Sequence, residues 1–330
     1  VIAGGSGAFN PEPMAAFFDL FVVGEGEEVL DELVALWQQV PGRGPTRRAF
    51  LRQAATIPGV YVPCFYRVAY HADGTLAGVV AEEEGVPRRV AKRVVLDLAD
   101  SPPVTRPVVP YLASVHDRAV VEIQRGCTRG CRFCQAGMIY RPLRERPPEV
   151  VRAAVCELLA HTGYEELSLL SFSSSDYRRI EELLAGLAEE YREQGLALSL
   201  PSLRLDSFSV GLAEAVAQRR RTGLTFAPEA GTQRLRDAIN KGLTEDDFRS
   251  TLELAFSRGW RRVKLYYMIG LPGETAEDLA GLVEMVREGL RIGRQHAGRR
   301  ASISVSVAPF VPKPHTPFQW LGQEAPELLE

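Results

Sequence analysis

Residues 122–137 read Glu122-Ile123-Gln124-Arg125-Gly126-Cys127-Thr128-Arg129-Gly130-Cys131-Arg132-Phe133-Cys134-Gln135-Ala136-Gly137, and this stretch decides how the rest of the chain is interpreted. Three of the five cysteines fall inside it, at the spacing CxxxCxxC. Short gaps, with Gly126 and Gly130 between them, let the loop curl until three thiolates face one centre. Soft thiolates select iron–sulfur clusters, zinc or copper(I). Three cysteines on a four-iron cluster leave one iron without a protein ligand, the open position a substrate-binding cluster needs. A structural zinc site asks for a fourth ligand, which Cys64, His116, Cys156 or His161 would have to supply from unpaired spacings. An electron-transfer cluster would need a distant fourth ligand, and a disulfide would leave one thiol over. Cys64 and Cys156 read as inert, Cys156 on the apolar face of its helix with Leu159 at i+3.

The cysteine stretch follows a strand-like run, and similar runs recur after it. Candidate strands are Ala119–Ile123, Leu167–Leu170, Leu196–Leu203, Thr222–Ala227, Arg262–Met268 and Ser302–Val307. Helical patterns fall between them at Pro148–His161, Asp176–Gln194, Val210–Arg219, Thr232–Ile239 with Thr244–Arg258, and Ala276–His296. Asp176 and Thr244 read as N-caps, and Gly195 as a helix stop. Such alternation predicts a parallel α/β sheet. Six steps fall short of the eight repeats of a complete (β/α) barrel, so the expected fold is a partial (β/α)6 TIM-like barrel over 119–320. The loop after its first strand is where barrel chemistry sits.

The CxxxCxxC stretch, with aromatic Phe133 before the last cysteine, resembles the radical S-adenosylmethionine (SAM) superfamily. The resemblance implies that Cys127, Cys131 and Cys134 hold a 4Fe-4S cluster. SAM then chelates the fourth iron, and one electron splits it into methionine and a 5′-deoxyadenosyl radical. By the same resemblance, the serines Ser171 and Ser173 end the second strand where relatives bind the SAM amino group, or else they cap the following helix. Arg204 pairs with the SAM carboxylate or with Asp206 or Glu214. Glu229 hydrogen-bonds the ribose or sits as a charge at a helix N-terminus. Ile269, in Met268-Ile269-Gly270-Leu271-Pro272-Gly273-Glu274-Thr275, packs near adenine. An electron donor such as flavodoxin or ferredoxin is implied.

Upstream, Val1–Gly5, Leu20–Gly24 and the helix Glu27–Gln38 read as strand, strand and helix. Val29, Leu30, Leu33, Val34 and Trp37 mark one helix face. A doubly wound domain has about five strands, so 1–38 reads as the C-terminal remnant of a Rossmann-like domain. With Val23-Gly24-Glu25-Gly26-Glu27-Glu28 it resembles the end of the cobalamin-binding domain that precedes many radical SAM cores. Arg141–Arg146 and Val311–Phe318 add to the resemblance to cobalamin-binding-type radical SAM proteins. The Asp-x-His-x-x-Gly that ligates cobalamin in such domains does not occur in this sequence. Cobalamin is therefore expected only in a full-length protein. Residues 39–118 are proline-rich and read as a β-rich connector. It holds a hairpin, Val60–Tyr70 with Leu76–Ala81 across His71-Ala72-Asp73-Gly74, then a run at Val90–Leu98 and a linker. Residues 321–330 read as the start of a further segment.

The 330 residues are 45% hydrophobic and 25% charged with net charge −3, which excludes a disordered chain and a generally basic nucleic-acid coat. No run of about 18 apolar residues marks a membrane span. An odd, small cysteine count favours a cytoplasmic protein over a disulfide-framed one. Lysine stands only at 92, 241, 264 and 313, and the other 35 of the 39 basic residues are arginine. Codon bias accounts for most of this. Arg125, Arg129, Arg132, Arg141, Arg144 and Arg146 gather around the cysteines, where they would stabilise an anionic cluster or hold an anionic substrate. RNA or protein is open as substrate, with Tyr140 the main candidate for base stacking.

Overall fold

The computed structural model describes residues 1–39, 46–112, 115–200, 203–207 and 224–329. The chain divides into two compact units, Val1–Ser101 and Pro102–Glu330. In the larger unit six parallel strands stand in chain order: β1 (Ala119–Glu122), β2 (Glu166–Leu170), β3 (Ala197–Ser199), β4 (Leu224–Glu229), β5 (Arg262–Ile269) and β6 (Ser302–Pro309). They form two hydrogen-bonded arrays, β1-β2-β3 and β4-β5-β6. Both arrays share one apolar core with the helices Pro148–Thr162, Ile180–Glu190, Glu245–Ser257 and Ala276–Ala297. This is the partial (β/α)6 barrel. Residues 201–202 and the expected helix Val210–Arg219 lie outside the described residues.

Strand alternation assigns the two faces. Val121, Leu167, Leu169, Leu224, Phe226, Val263, Leu265 and Tyr267 are buried with the helix side chains. Their neighbours in sequence, among them Thr225, Lys264 and Tyr266, therefore face the barrel interior. Register places Thr225, Lys264 and Ser304 in one row across β4, β5 and β6, and Tyr266 beside Ser306 in the next.

Helix ends follow the local chemistry. Thr244 forms a capping box with Asp247, and Thr275 one with Asp278. Asp176 is not the N-cap expected of it. The helix starts at Ile180, because the Asp176 carboxylate is taken by Arg129 and Ser173. Cys156 lies on the exposed side of its helix, where Val151, Ala154, Val155 and Leu158 form the buried face.

In the smaller unit Ile2–Ala3 and Leu20–Val22 pair in parallel, and Val60–Tyr61 joins Leu20–Val22 antiparallel. The predicted run Val60–Tyr70 is broken by a 3₁₀ turn at Pro63–Phe65, since Pro63 has no N–H for a ladder. The hairpin Tyr66–Tyr70 with Leu76–Ala81 forms as expected. The helix Thr46–Ala54, which patterning did not indicate, supplies Phe50, Leu51 and Ala54 to a core with Val29 and Leu33. Residues of 1–38 and of the connector thus share one core. The other face of the Glu27–Gln39 helix stays exposed at Leu30, Val34 and Trp37. The run Val90–Leu98 forms no strand and touches the sheet through a single bridge, Gly24 with Arg93.

The loop after β4 lies directly on the Ala276–Ala297 helix. A Cβ at Gly231 would stand 2.1 Å from the Leu282 nitrogen and 2.4 Å from the Asp278 carbonyl oxygen, both backbone. Gly231→Ala should therefore lower unfolding free energy by about 1–3 kcal/mol, read as a shift in denaturant midpoint. An unchanged midpoint would show that the contact is slack.

Candidate active site

Above the C-terminal end of β1 the chain pairs Gln124–Arg125 with Arg144–Glu145, then turns through the cysteine loop. Gly126 has φ +89°, and a Cβ there would meet the carbonyl oxygens of Pro142 and Tyr140 at 2.6 and 2.7 Å. Only glycine fits that crossing. Cys131 is buried, while Cys127 and Cys134 are half-buried. The Gly137 N–H points at the Cys134 sulfur, 3.4 Å away.

Positive charge surrounds the thiols. Burial pushes the Cys131 thiol up, and Lys241 and Arg204 pull it back down. Arg129, between the first two cysteines, donates from Nε to Asp176 at 2.8 Å and from a terminal nitrogen to Asp206 at 3.1 Å. Hydrogen bonding to Asp176 raises its pKa above the ordinary arginine range, with Asp206 and Cys127 adding to the effect.

A second segment clamps the loop from outside. The Asn240 side chain donates to the Gly130 carbonyl at 2.9 Å, and the Arg132 N–H donates to the Ile239 carbonyl at 2.9 Å. Lys241 Nζ pairs with Glu229 at 3.1 Å. Glu229 and Asn240 both take left-handed backbone conformations, φ +71° and +54°. Asn240 closes the Gln233–Ala238 helix, with the Lys241 N–H returning to the Arg236 carbonyl at 2.9 Å, a left-handed stop that asparagine adopts readily. Glu229 is the strained residue, of the kind that collects at functional sites. An asparagine just past a helix is the local signal for Asn240, and nothing in the pattern marks Lys241.

The expected ligand residues sit on this rim with their partners visible. Ser173 donates to Asp176 at 2.6 Å, and Ser171 and Ser174 share a hydrogen bond at 2.9 Å. Both serines are buried. Arg204 pairs with Asp206 at 2.9 and 3.0 Å and also donates to the Lys241 carbonyl. Phe133 packs with Ala230, Leu271 and Phe310. Ile269, at the end of β5, accepts from the Phe310 N–H at 2.8 Å.

The arginines around the loop are structural in their contacts. Arg125 and Arg146 hold Glu122, Arg144 reaches the Pro142 and Tyr140 carbonyls, and Arg132 reaches the Ala238 carbonyl. They brace the loop; Glu122 offsets charge on Arg125 and Arg146, whereas a carbonyl contact leaves a guanidinium's charge in place. Tyr140 lies beside Phe172, ring centroids 5.0 Å apart.

Does this donor set suit a cluster? Among the described residues, no three His, Cys, Asp or Glu side chains converge as ligands of one ion. A single zinc needs all its sulfurs about 2.3 Å from one point, whereas a four-iron cluster gives each thiolate its own iron. Three cysteines without a fourth ligand, an N–H aimed at sulfur and flanking cations fit the latter.

Chains of known type resemble this one. A model described as the radical SAM superfamily matches residues 121–286, and one described as the N-terminal part of radical SAM proteins matches 1–63. An uncharacterized protein of Methanocaldococcus jannaschii is 30% identical over 93% of this chain and 58% of its own length. A ribosomal protein uS12 methylthiotransferase of Salinispora arenicola is 32% identical over 57% of this chain and 38% of its own length. In structure, a radical SAM methyltransferase, TsrM, from Kitasatospora setae, with cobalamin and a [4Fe-4S] cluster bound, superposes with a TM-score of 0.62 at 18% identity. It covers 97% of this chain and 58% of that one. The cobalamin-dependent SAM radical enzyme OxsB gives 0.61 at 14%, over 96% of this chain and 46% of that one. The chain thus spans under two thirds of the length of these relatives.

Asp176 tests the bracing. Burial pushes its carboxyl up, but hydrogen bonds from Arg129 and Ser173 outweigh that and hold it below its ordinary range. Such a group stabilises the fold above its unfolded-state pKa and loses that contribution as pH falls through the folded value. In Arg129→Gln the carboxylate loses its main partner. The acid-unfolding midpoint, followed by circular dichroism, should move to higher pH. An unmoved midpoint would mean that the bridge contributes nothing.

Proposed function

This chain belongs to the radical SAM superfamily, and we propose that it binds a 4Fe-4S cluster through Cys127, Cys131 and Cys134 and cleaves SAM reductively to activate a substrate C–H bond. The observation that carries the reading is the three-cysteine loop braced by Arg129 and Asn240 at the C-terminal rim of the barrel. When bound, the cluster supplies the electron that splits SAM into methionine and a 5′-deoxyadenosyl radical.

The chain's own residues do the rest. Lys241 and Arg204 hold positive charge toward Cys131. The Gly137 N–H supports the Cys134 sulfur. Phe133 and Ile269 give the rim an apolar floor for a nucleoside. A ribose role for Glu229 asks it to exchange Lys241 for the hydroxyls. Arg204 already serves Asp206, so a role in gripping the SAM carboxylate requires it to share its fork. Ser171 and Ser173 are engaged with neighbours, and a hydroxyl that donates one bond keeps lone pairs that accept from an amino group. An electron donor of the flavodoxin or ferredoxin type and a cytoplasmic setting go with this chemistry.

A second reading is cobalamin-assisted methyl transfer. The solved structures of TsrM and OxsB, which this chain resembles over 97% and 96% of its length, hold cobalamin.

Anaerobic reconstitution should load about four irons and four sulfides per chain, and dithionite with SAM should then release 5′-deoxyadenosine. A Cys127→Ala, Cys131→Ala, Cys134→Ala variant that kept both would end the proposal. S-adenosylhomocysteine as a second product, dependent on added cobalamin, would favour methyl transfer. Lys241→Gln removes a cation beside the thiolates, so the cluster should become harder to reduce. Redox titration by electron paramagnetic resonance should give a lower potential than wild type.

A further inference from the structure

The arginines near the cysteines are held by carboxylates and carbonyls, but one interior cation is not. Lys264 lies on the inward face of β5, between buried Val263 and Leu265, which face the helices. Among the described residues it has no ion-pair partner. Its ammonium stands 4.6 Å from the centre of the Tyr266 ring. Tyr266 is two residues further along the strand on the same face, so the ammonium leans toward the end of the barrel that carries the cysteine loop.

Its surroundings suit an anion. Register places Thr225 of β4 on one side and Ser304 of β6 on the other, with Ser306 beside Tyr266 in the row above. Hydroxyls donate to oxyanions without competing charge. Ser304 is exposed, Tyr266 is 38% exposed and Lys264 is half-buried, so solvent and small solutes reach this row. The chain uses arginine at nearly every basic position, yet a lysine stands here. Lysine is a compact point charge with three rotatable donors, suited to an oxyanion approached from one side.

We propose that Lys264, flanked by Thr225 and Ser304, is the subsite that binds a carboxylate or phosphate of the substrate inside the barrel. This deepens the radical SAM reading and rests on it. Ile269 at the rim is five residues further on, about 16 Å at ~3.3 Å per residue, and the lysine stem covers part of that distance. The substrate is therefore elongated, with its anionic group inside the barrel and the carbon that reacts near the rim.

The four-lysine composition makes the test direct. Chain labelled with 13C at the lysine ε-carbon shows one methylene signal for each of the four lysines, and Lys264→Gln identifies the signal of Lys264 by its loss. Reconstituted protein is titrated with sodium phosphate and, separately, with sodium acetate at constant ionic strength. The Lys264 signal should move saturably with at least one of the two, at a midpoint at least tenfold below any movement of the exposed Lys313. Phosphate alone, or acetate alone, tells which oxyanion the substrate carries. Lys264 moving in step with Lys313 for both anions would overturn the proposal. So would a Lys264 signal that responds only to SAM, since the lysine would then serve the SAM carboxylate. The titration is read on wild-type protein, and where Lys264→Gln does not fold, Lys92→Arg, Lys241→Arg and Lys313→Arg assign the remaining signal by elimination. The titration also needs no SAM cleavage, so failure here leaves the SAM reading to its own assay.

Discussion

The rim of this barrel depends on one guanidinium. Arg129 belongs to the cysteine loop, yet both of its carboxylate partners belong to other strand ends, Asp176 after β2 and Asp206 after β3. Phe133 anchors one end of the loop in an apolar cluster, and the glycine-rich remainder is set by a planar fork whose geometry matches two carboxylates at once. The carboxylates are in turn shaped by others: Ser173 donates to Asp176, and Arg204 donates to Asp206 and to the Lys241 carbonyl. Loop, second strand, third strand and the 238–241 segment are therefore one hydrogen-bonded seam. Net attraction across such a seam is modest per bond. The cost of leaving either carboxylate half-buried and alone is larger, and that asymmetry keeps the seam closed.

The barrel was legible because its strands bury one face against helices and alternate accordingly. Val263, Leu265 and Tyr267 carry that signal in β5, and Thr244 marks its helix through a capping box that reads directly from sequence. The CxxxCxxC spacing is legible because spacing is a local property. What failed was whatever depends on a distant partner. Asp176 looks like an N-cap until Arg129 claims it. Asn240 carries only the pattern of a helix stop and Lys241 carries none, and their role exists only because chain folding brings Gly130 and Glu229 to them. Cys156 was placed on the wrong side of its helix because one apolar neighbour at i+3 does not define a face. Val151, Ala154, Val155 and Leu158 do.

The same logic separates the two kinds of basic residue. The arginines near the cysteines are expected to stabilise an anionic cluster or hold an anionic substrate, and in the structure they also fasten backbone carbonyls and Glu122. A count of basic residues therefore says little about a site. Which of them remain unsatisfied says more. In the smaller unit Arg93 gives a parallel case, fixed by Glu28 and Glu32 while its backbone meets Gly24.

Glu229, left-handed on the rim, has a consequence for how the protein ages. Its conformation costs of order 1–3 kcal/mol, offset by its contact with Lys241. Assembly of a metal centre on the cysteine loop and ordering of this corner are then linked, because ligand binding to the ordered form adds its free energy to folding. Oxidative loss of the centre would loosen Glu229 and the loop first, while the 238–241 segment keeps its own helix-closing bonds.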